Sequence, residues 1–178
     1  VIGSSTAYHL AKDPAFKGRV IVIEKDPTYK FSASALSAAS IRQQFSTSVN
    51  IRISLYGIEF LRNIGEDLAV DGEKPAIDLH EGGYLYLATD AGREILKSNH
   101  VLQDEEGADI ALMERDALQK KFPWLQLDDI ALGAWGRSGE GWFDGWGLMQ
   151  AFRKKARHLG VTYIDGEVTG VEREGGNI

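Results

Sequence analysis

The first 26 residues constrain the fold most strongly, because a short helix there leads directly into a strand that is almost entirely apolar. Small and apolar residues recur at helical spacing over residues 3–12, and Asp13-Pro14 ends this predicted helix. Residues 19–24, RVIVIE, are rich in β-branched side chains, which is typical of a parallel strand covered on both faces. A helix followed by such a strand is half of a βαβ unit, so the sequence predicts an α/β fold.

The same order of helix and strand returns near the end of the chain. We predict a helix over residues 148–159 and strands at residues 161–164 and 168–172. Residues 27–47 are rich in serine and alanine and predict an ordered loop, and residues 48–68 predict an amphipathic helix of about five turns.

A strand-rich block separates the two ends. Its apolar runs predict strands at residues 76–79, 84–88, 109–113 and 130–135 and helices at residues 90–106 and 115–122, the first two strands forming an antiparallel pair. We therefore predict an α/β chain (α+β overall) in which a partial Rossmann-like domain, lacking its first strand, is interrupted by an inserted strand-rich domain. The predicted boundaries are residues 1–47, 48–145 and 146–178.

Composition and charge argue against several classes of function. The formal net charge is −6 and charged residues of both signs are spread along the chain, which disfavours a nucleic-acid partner. No apolar run approaches the roughly 18 residues of a membrane-spanning helix, and the signal-peptide pattern is absent, so we expect a cytoplasmic protein unless a targeting segment precedes Val1. With no cysteine and no histidine at ligand spacing, we predict no metal site.

Five aromatic residues are expected to serve in packing: Trp124, Trp135, Trp142, Phe143 and Trp146.

Gly3 and Glu24 fit two positions of a dinucleotide-binding fingerprint. In the pattern G-x-G-x-x-G, Val1-Ile2-Gly3 matches the final x-x-G. A carboxylate about 20 residues further on binds the ribose hydroxyls, and Glu24 lies 21 residues after Gly3, at the end of the predicted strand. A carboxylate at this position also disfavours NADP.

Four blocks of the sequence resemble the FAD-dependent amine and amino-acid oxidoreductases, a family that includes sarcosine oxidase, glycine oxidase, dimethylglycine dehydrogenase and D-amino-acid oxidase. The blocks are VIGSSTAYHLA, VIVIEKD, ASALSAASIRQQFS and EGWFDGWGLMQAFRKKARHLGVTYIDGEVTGVE, in family order. The resemblance implies FAD as cofactor, a substrate domain at residues 48–145 and an FAD-binding domain in the flanking parts. It also implies a set of cofactor-binding residues: Gly3, Glu24, Lys25, Ser32, Ala33, Ser37, Ala38, Ala39 and Val168.

By the same resemblance, the protein oxidises a secondary amine or small amino acid by hydride transfer from its C–N carbon to flavin N5. Arg42 and Gln44, with Gln43 between them, are the candidate catalytic residues, because a bidentate arginine suits a substrate carboxylate. The alternative is that Arg42 is structural, capping a helix or pairing with an acid.

Two other functions stay open at this point. One is an NAD-dependent Rossmann oxidoreductase, which the small-residue loop and the inserted block disfavour. The other is a catalytically inactive fragment that acts as an interaction module. Because the first strand and two glycines of the fingerprint would lie before Val1, we expect the chain to be truncated at both ends and to bind FAD weakly or not at all by itself.

Overall fold

The structure, a computed structural model, describes residues 1–172 and residue 175, and over these it contains six α-helices and seven β-strands. The helices are α1 (Ile2–Lys12), α2 (Ser48–Arg62), α3 (Ile64–Asp67), α4 (Arg93–Glu105), α5 (Arg115–Lys121) and α6 (Gly145–His158). The strands are β1 (Ile21–Glu24), β2 (Ser40–Ile41), β3 (Leu85–Ala88), β4 (Ile110–Glu114), β5 (Leu132–Gly136), β6 (Gly141–Trp142) and β7 (Thr162–Asp165). None of the helices in this part of the chain has the length and hydropathy to span a membrane.

The chain divides into two compact units that interleave along the sequence. The first unit comprises Val1–Ser37, Ile64–Ile77 and Gly145–Ile178, and the second comprises Ala38–Asn63 and Asp78–Asp144. The assignment of one part to FAD and the other to substrate stays a prediction. Of the predicted last segment, residues 173, 174 and 176–178 lie outside the described residues.

The first unit is built on a parallel pair of strands with two helices packed together. β1 pairs with β7 in the register Ile21↔Thr162 to Glu24↔Asp165. Tyr8 of α1 is fully buried, and its ring lies 5.6 Å from that of Phe152 of α6. On the strands, Ile21, Ile23 and Ile164 are exposed, so the expectation that both faces of β1 are covered is wrong for the described residues.

The second unit contains two antiparallel sheets. β5 lies between β3 and β4 in a three-stranded sheet, and β2 pairs with β6 through Ser40↔Trp142 and Ile41↔Gly141. The core of this unit consists of fully buried residues from a helix, the sheet and the turn before it: Ile51, Ala108, Ile110 and Ala134.

Local signals end the helices where the sequence predicts. Asp13, which precedes Pro14, is extended at φ −72° and ψ 116°, because the proline ring disfavours helical backbone at the residue before it. Gly107 follows α4 at φ +87°, and the N–H of Ala108 donates to the Gln103 carbonyl at 2.9 Å. This left-handed glycine and its returning hydrogen bond form a regular C-terminal cap.

Three predicted elements differ from the structure. The single helix over residues 48–68 is two helices, because the Asn63 amide donates back to the Glu59 carbonyl and leaves helical geometry at ψ 8°. Residues 76–79 form no strand, since Asp78 adopts a left-handed φ of +47°; β3 pairs with β5 instead. Residues 168–172 form no strand either, because no described segment pairs with them and an extended segment needs a partner.

Candidate active site

A cavity of about 410 Å³ in the first unit brings together four of the predicted cofactor-binding residues. Gly3, Ser32, Ala33 and Ser37 line it, together with Val1, Ile2 and Ser34. A Cβ atom placed on Gly3 would meet none of the described protein atoms within 4 Å. Because the first backbone N–H groups of a helix have no intrahelical acceptor, the first turn of α1 presents hydrogen-bond donors next to this open space.

Glu24, Lys25 and Val168 lie at or just beyond the carboxyl end of β1. The Glu24 carboxylate accepts a hydrogen bond from the Asp26 N–H at 3.0 Å, and it interacts electrostatically with the nitrogen of Val1 beside α1. Lys25 forms an exposed ion pair with Glu167 at 3.2 Å. The N–H of Gly166, the residue after β7, donates to the Glu24 carbonyl. Val168 follows Gly166 by two residues, and it is 62% exposed.

The other two predicted cofactor residues, Ala38 and Ala39, belong to the second unit. Ala39 is buried and adopts a left-handed φ of +47°, and its carbonyl accepts a hydrogen bond from the Phe143 N–H at 3.1 Å. The strand pair β2–β6 begins directly after this turn. The small-residue loop is therefore ordered here by backbone hydrogen bonds, and it leads directly to Arg42.

Arg42 lies in a cavity of about 310 Å³ in the second unit. Its guanidinium stacks over three aromatic rings, at 5.0 Å from the centroid of Phe45, 5.6 Å from Tyr86 and 5.7 Å from Tyr84. The cavity is lined by Ser40, Ile41, Arg42, Phe45, Ser54 and Tyr84. Among the residues that the structure describes, none forms an ion pair with Arg42, so its positive charge remains available to an anion.

The peptide groups after Arg42 are held by a buried carboxylate that the sequence did not single out. The side chain of Glu140 is 0% exposed, and its Oε1 accepts hydrogen bonds from the N–H groups of Gln43 at 2.6 Å and Gln44 at 3.2 Å. Burial raises the pKa of Glu140, although these N–H donors and the charge of Arg42 act in the opposite direction. Its partners are 96 and 97 residues away in sequence, so no local pattern could reveal the contact.

Gln43 and Gln44 are both buried, and their side-chain amides are used inside the second unit. Gln43 Nε2 donates to the Gly139 carbonyl at 3.4 Å. Gln44 Nε2 donates to the Tyr84 carbonyl at 3.0 Å and to Glu140 Oε2 at 2.8 Å. Gln44 Oε1 is buried and has no hydrogen-bond partner within the described part of the chain.

Three of the tryptophans are more exposed than a core position would be, although the Trp142 ring lies 4.3 Å from His80 and the Trp124 ring 6.1 Å from Phe122. Trp124 is 76% exposed, and Trp142 and Trp146 are exposed as well. Trp135 does pack, with its ring centroid 5.3 Å from that of Phe122.

Three features of the first unit together define a Rossmann-like nucleotide-binding protein. They are a parallel strand pair with two packed helices, a helix N-terminus beside a cavity of small residues, and a carboxylate at the strand end. The family model described as "FAD dependent oxidoreductase" (DAO) matches residues 1–178, and the chain therefore belongs to this family. Its cofactor is FAD, as the sequence predicts, and this family match disfavours the NAD-dependent alternative.

Similar proteins come from both sequence and structure. The Xenopus laevis "FAD-dependent oxidoreductase domain-containing protein 1" is 46% identical over 172 residues, which cover 95% of this chain and 34% of that protein. L-proline dehydrogenase from P. horikoshii superposes with a TM-score of 0.78 at 24% identity, over 98% of this chain and 44% of that one. Glycine oxidase from Bacillus cereus ATCC 14579 has a TM-score of 0.72 at 20% identity, over 98% and 46%. The chain thus spans about a third of the length of the curated relative and under half of each solved structure.

The residues of the first unit fit an FAD molecule. A pyrophosphate needs exposed backbone N–H donors and no obstructing side chain, and the open space at Gly3 in the first turn of α1 meets both needs. A ribose needs a hydrogen-bond acceptor, and the carboxylate of Glu24 at the end of β1 is one.

Proposed function

We propose that the protein oxidises a small amino acid or a secondary amine that carries a carboxylate, with FAD as the electron acceptor. Arg42 is the observation that carries this proposal: it is an arginine without an ion-pair partner among the described residues, and it lines a cavity suited to a small ligand. An arginine binds a carboxylate through two parallel N–H donors, which fixes the orientation of the ligand as well as its charge.

The cofactor is proposed to bind through the nine residues predicted from the sequence. Gly3, Ser32, Ala33 and Ser37 line the cavity beside α1, where close approach of a pyrophosphate needs small side chains. Glu24 accepts hydrogen bonds from the ribose, and Lys25 and Val168 flank it. Ala38 and Ala39 extend the small-residue loop towards the flavin. Bound FAD supplies the acceptor for a hydride from the C–N carbon of the substrate.

The protein itself contributes binding and orientation. Arg42 holds the carboxylate, and the Phe45, Tyr84 and Tyr86 rings beneath the guanidinium restrict its rotation. Gln44, the other candidate catalytic residue, acts next to it through the backbone that both residues share, since its Oε1 is buried. Gln43 supports the turn through Gly139. The names of the similar solved proteins, a proline dehydrogenase and a glycine oxidase, support a substrate of this size. The cytoplasmic location stays a prediction.

The test is anaerobic reduction of the FAD-loaded whole protein by sarcosine, glycine and proline, followed as loss of the visible flavin absorption band. Arg42→Gln is expected to raise KM by about 10- to 100-fold, because a hydrogen bond to a charged group contributes about 1.5–3 kcal/mol. Arg137→Gln, which removes another arginine of the second unit, is the matched control and is expected to leave KM unchanged, since Arg137 pairs with Asp109.

Two outcomes would contradict the proposal. If none of the three compounds reduces the flavin, the alternative of an inactive interaction module gains support. If a compound reduces it with the same KM in the Arg42→Gln and wild-type proteins, Arg42 does not bind the carboxylate.

A further inference from the structure

We propose that Glu140 is a positioning residue that fixes the direction of the Arg42 side chain by holding the two peptide groups that follow it. This inference rests on the proposed function of Arg42 as the carboxylate-binding residue. It assigns to a buried acid of the β5–β6 turn a role in the geometry of the ligand pocket.

Glu140 binds the peptide group that joins Arg42 to Gln43. The N–H that donates to Oε1 at 2.6 Å belongs to Gln43, and its peptide plane also contains the carbonyl of Arg42. Because a peptide group is planar, fixing this N–H fixes the ψ angle of Arg42. The second bond, from the Gln44 N–H to the same oxygen at 3.2 Å, fixes the next peptide plane as well.

Two glycines leave the space that the Glu140 carboxyl group and the Gln43 amide occupy. A Cβ atom on Gly136 would lie 1.8 Å from Glu140 Oε2, and a Cβ atom on Gly139 would lie 2.3 Å from Gln43 Nε2. Glycine at these two positions lets the acid and the amide lie against the backbone of the turn. The Glu140 carbonyl also accepts the N–H of Gly83 at 2.9 Å, which ties the same residue to the segment before β3.

The hydrogen bond from Gly83 also affects the aromatic rings that lie beneath Arg42. β3 carries Tyr86, and Tyr84 precedes it, so the Gly83 hydrogen bond places the two rings that lie beneath the guanidinium. Glu140 therefore connects to both partners of the stack: to the backbone of Arg42 through Oε1 and to the Tyr84–Tyr86 strand through its own carbonyl. Within the described residues it forms no direct ion pair with Arg42, so the guanidinium stays open to a ligand.

Glu140 acts in this arrangement through the position of Oε1 and not through its charge. A glutamine at this position retains Oε1 for both backbone N–H groups and loses only the Oε2 acceptor of the Gln44 side-chain amide, whereas alanine leaves all three donors without an acceptor. The proposal therefore predicts that Glu140→Gln preserves the pocket and that Glu140→Ala disorders it. Glu106→Gln is the matched control, since Glu106 is another largely buried carboxylate of the second unit whose partners are Ser48 and Arg52.

Two measurements on the 178-residue chain test the proposal. The first is the NMR position of the Arg42 Nε–H proton, which the three rings shift upfield and which Arg42→Gln identifies by its loss. The second is the Kd for benzoate, with benzamide as the neutral control ligand. Glu140→Ala is expected to move the resonance to that of an exposed arginine and to raise the benzoate Kd about tenfold, which corresponds to the loss of one hydrogen bond to a charged group. Glu140→Gln and Glu106→Gln should leave both values near those of the wild type.

The outcomes separate this proposal from the function on which it rests. An Arg42 resonance that stays upfield in Glu140→Ala overturns the positioning role, and so does an equal loss in Glu140→Gln. If the resonance moves only in Glu140→Ala while Arg42→Gln leaves the benzoate Kd unchanged, the positioning role stands and the carboxylate-binding function fails. Glu140→Asp, which draws the carboxylate back by one methylene group, covers the case in which the alanine variant does not fold, and it too should shift the resonance.

Discussion

Substitution of Gly136 by alanine is expected to destabilise the second unit strongly, because the new methyl group would occupy the place of a buried carboxyl group. Its Cβ would lie 1.8 Å from Glu140 Oε2 and 2.4 Å from Cδ. Glu140 is fully buried and cannot turn towards solvent. Overpacking of this kind costs about 1–3 kcal/mol. Displacing the carboxyl group also leaves a buried N–H of Gln43 or Gln44 unpaired, which costs about 1–3 kcal/mol more.

The expected loss in the free energy of unfolding is therefore about 2–6 kcal/mol. Urea unfolding followed by tryptophan fluorescence measures it as a lower midpoint with an unchanged m-value. Trp135, which directly precedes Gly136 in β5, reports on this region. A change of less than about 0.5 kcal/mol, the range of ordinary surface substitutions, would refute the reasoning, because it would mean that the carboxyl group can move without cost.

Three further predictions concern helix stability, the pH dependence of unfolding and cofactor binding. Gly57→Ala should stabilise the chain by about 0.5–1 kcal/mol in the same urea assay, since Gly57 lies inside α2 and its Cβ would meet only the Ile41 Cδ1 atom, at an ordinary 3.6 Å; a loss of stability would contradict the structure there. Burial raises the pKa of Glu140 above its usual 4.5, so its contribution to stability is present below that pH and is lost as the pH rises through the folded value, by at most about 1.4 kcal/mol per pH unit. Glu140→Gln should abolish this decline in unfolding curves measured across pH, and an unchanged pH dependence would show that another group causes it. Glu24→Gln should raise the Kd for FAD about tenfold in a flavin fluorescence titration of the whole protein, since a hydrogen bond to a charged group contributes about 1.5–3 kcal/mol, whereas Glu167→Gln should not change it; equal affinities of the Glu24→Gln and wild-type proteins would remove Glu24 from the cofactor site.

Elements fixed by local signals are predictable from the sequence. Helix α1 ends at Lys12, two residues before Pro14, and α4 ends at Glu105, two residues before Gly107; both ends follow from backbone preferences of single residues. Strand β1 is likewise evident from its run of β-branched residues. Each of these features depends on side chains within a few positions of one another, and short-range patterns describe such features well.

Features that depend on distant partners are not predictable in this way. The strand-like residues 76–79 precede β3 closely enough to suggest a hairpin, yet β3 pairs with β5, almost 50 residues later. The candidate site shows the same limit: Arg42 was identified from its place after the small-residue loop, but its aromatic partners on the Tyr84–Tyr86 strand were not. Glu140 carries no local sign of burial, because an acid between two glycines is typical of an exposed turn.

The pairing of β1 with β7 has a consequence for the order in which the chain folds. The two strands are joined across about 140 residues, so the β1–β7 pair cannot form until residues 162–165 have been synthesised. The whole of the second unit, which ends at Asp144, precedes that point. During translation the second unit can therefore complete its sheets first, while the backbone of β1 still lacks its β7 partner. This interval is when a nascent chain of this kind is most exposed to aggregation, and it is where a chaperone would act.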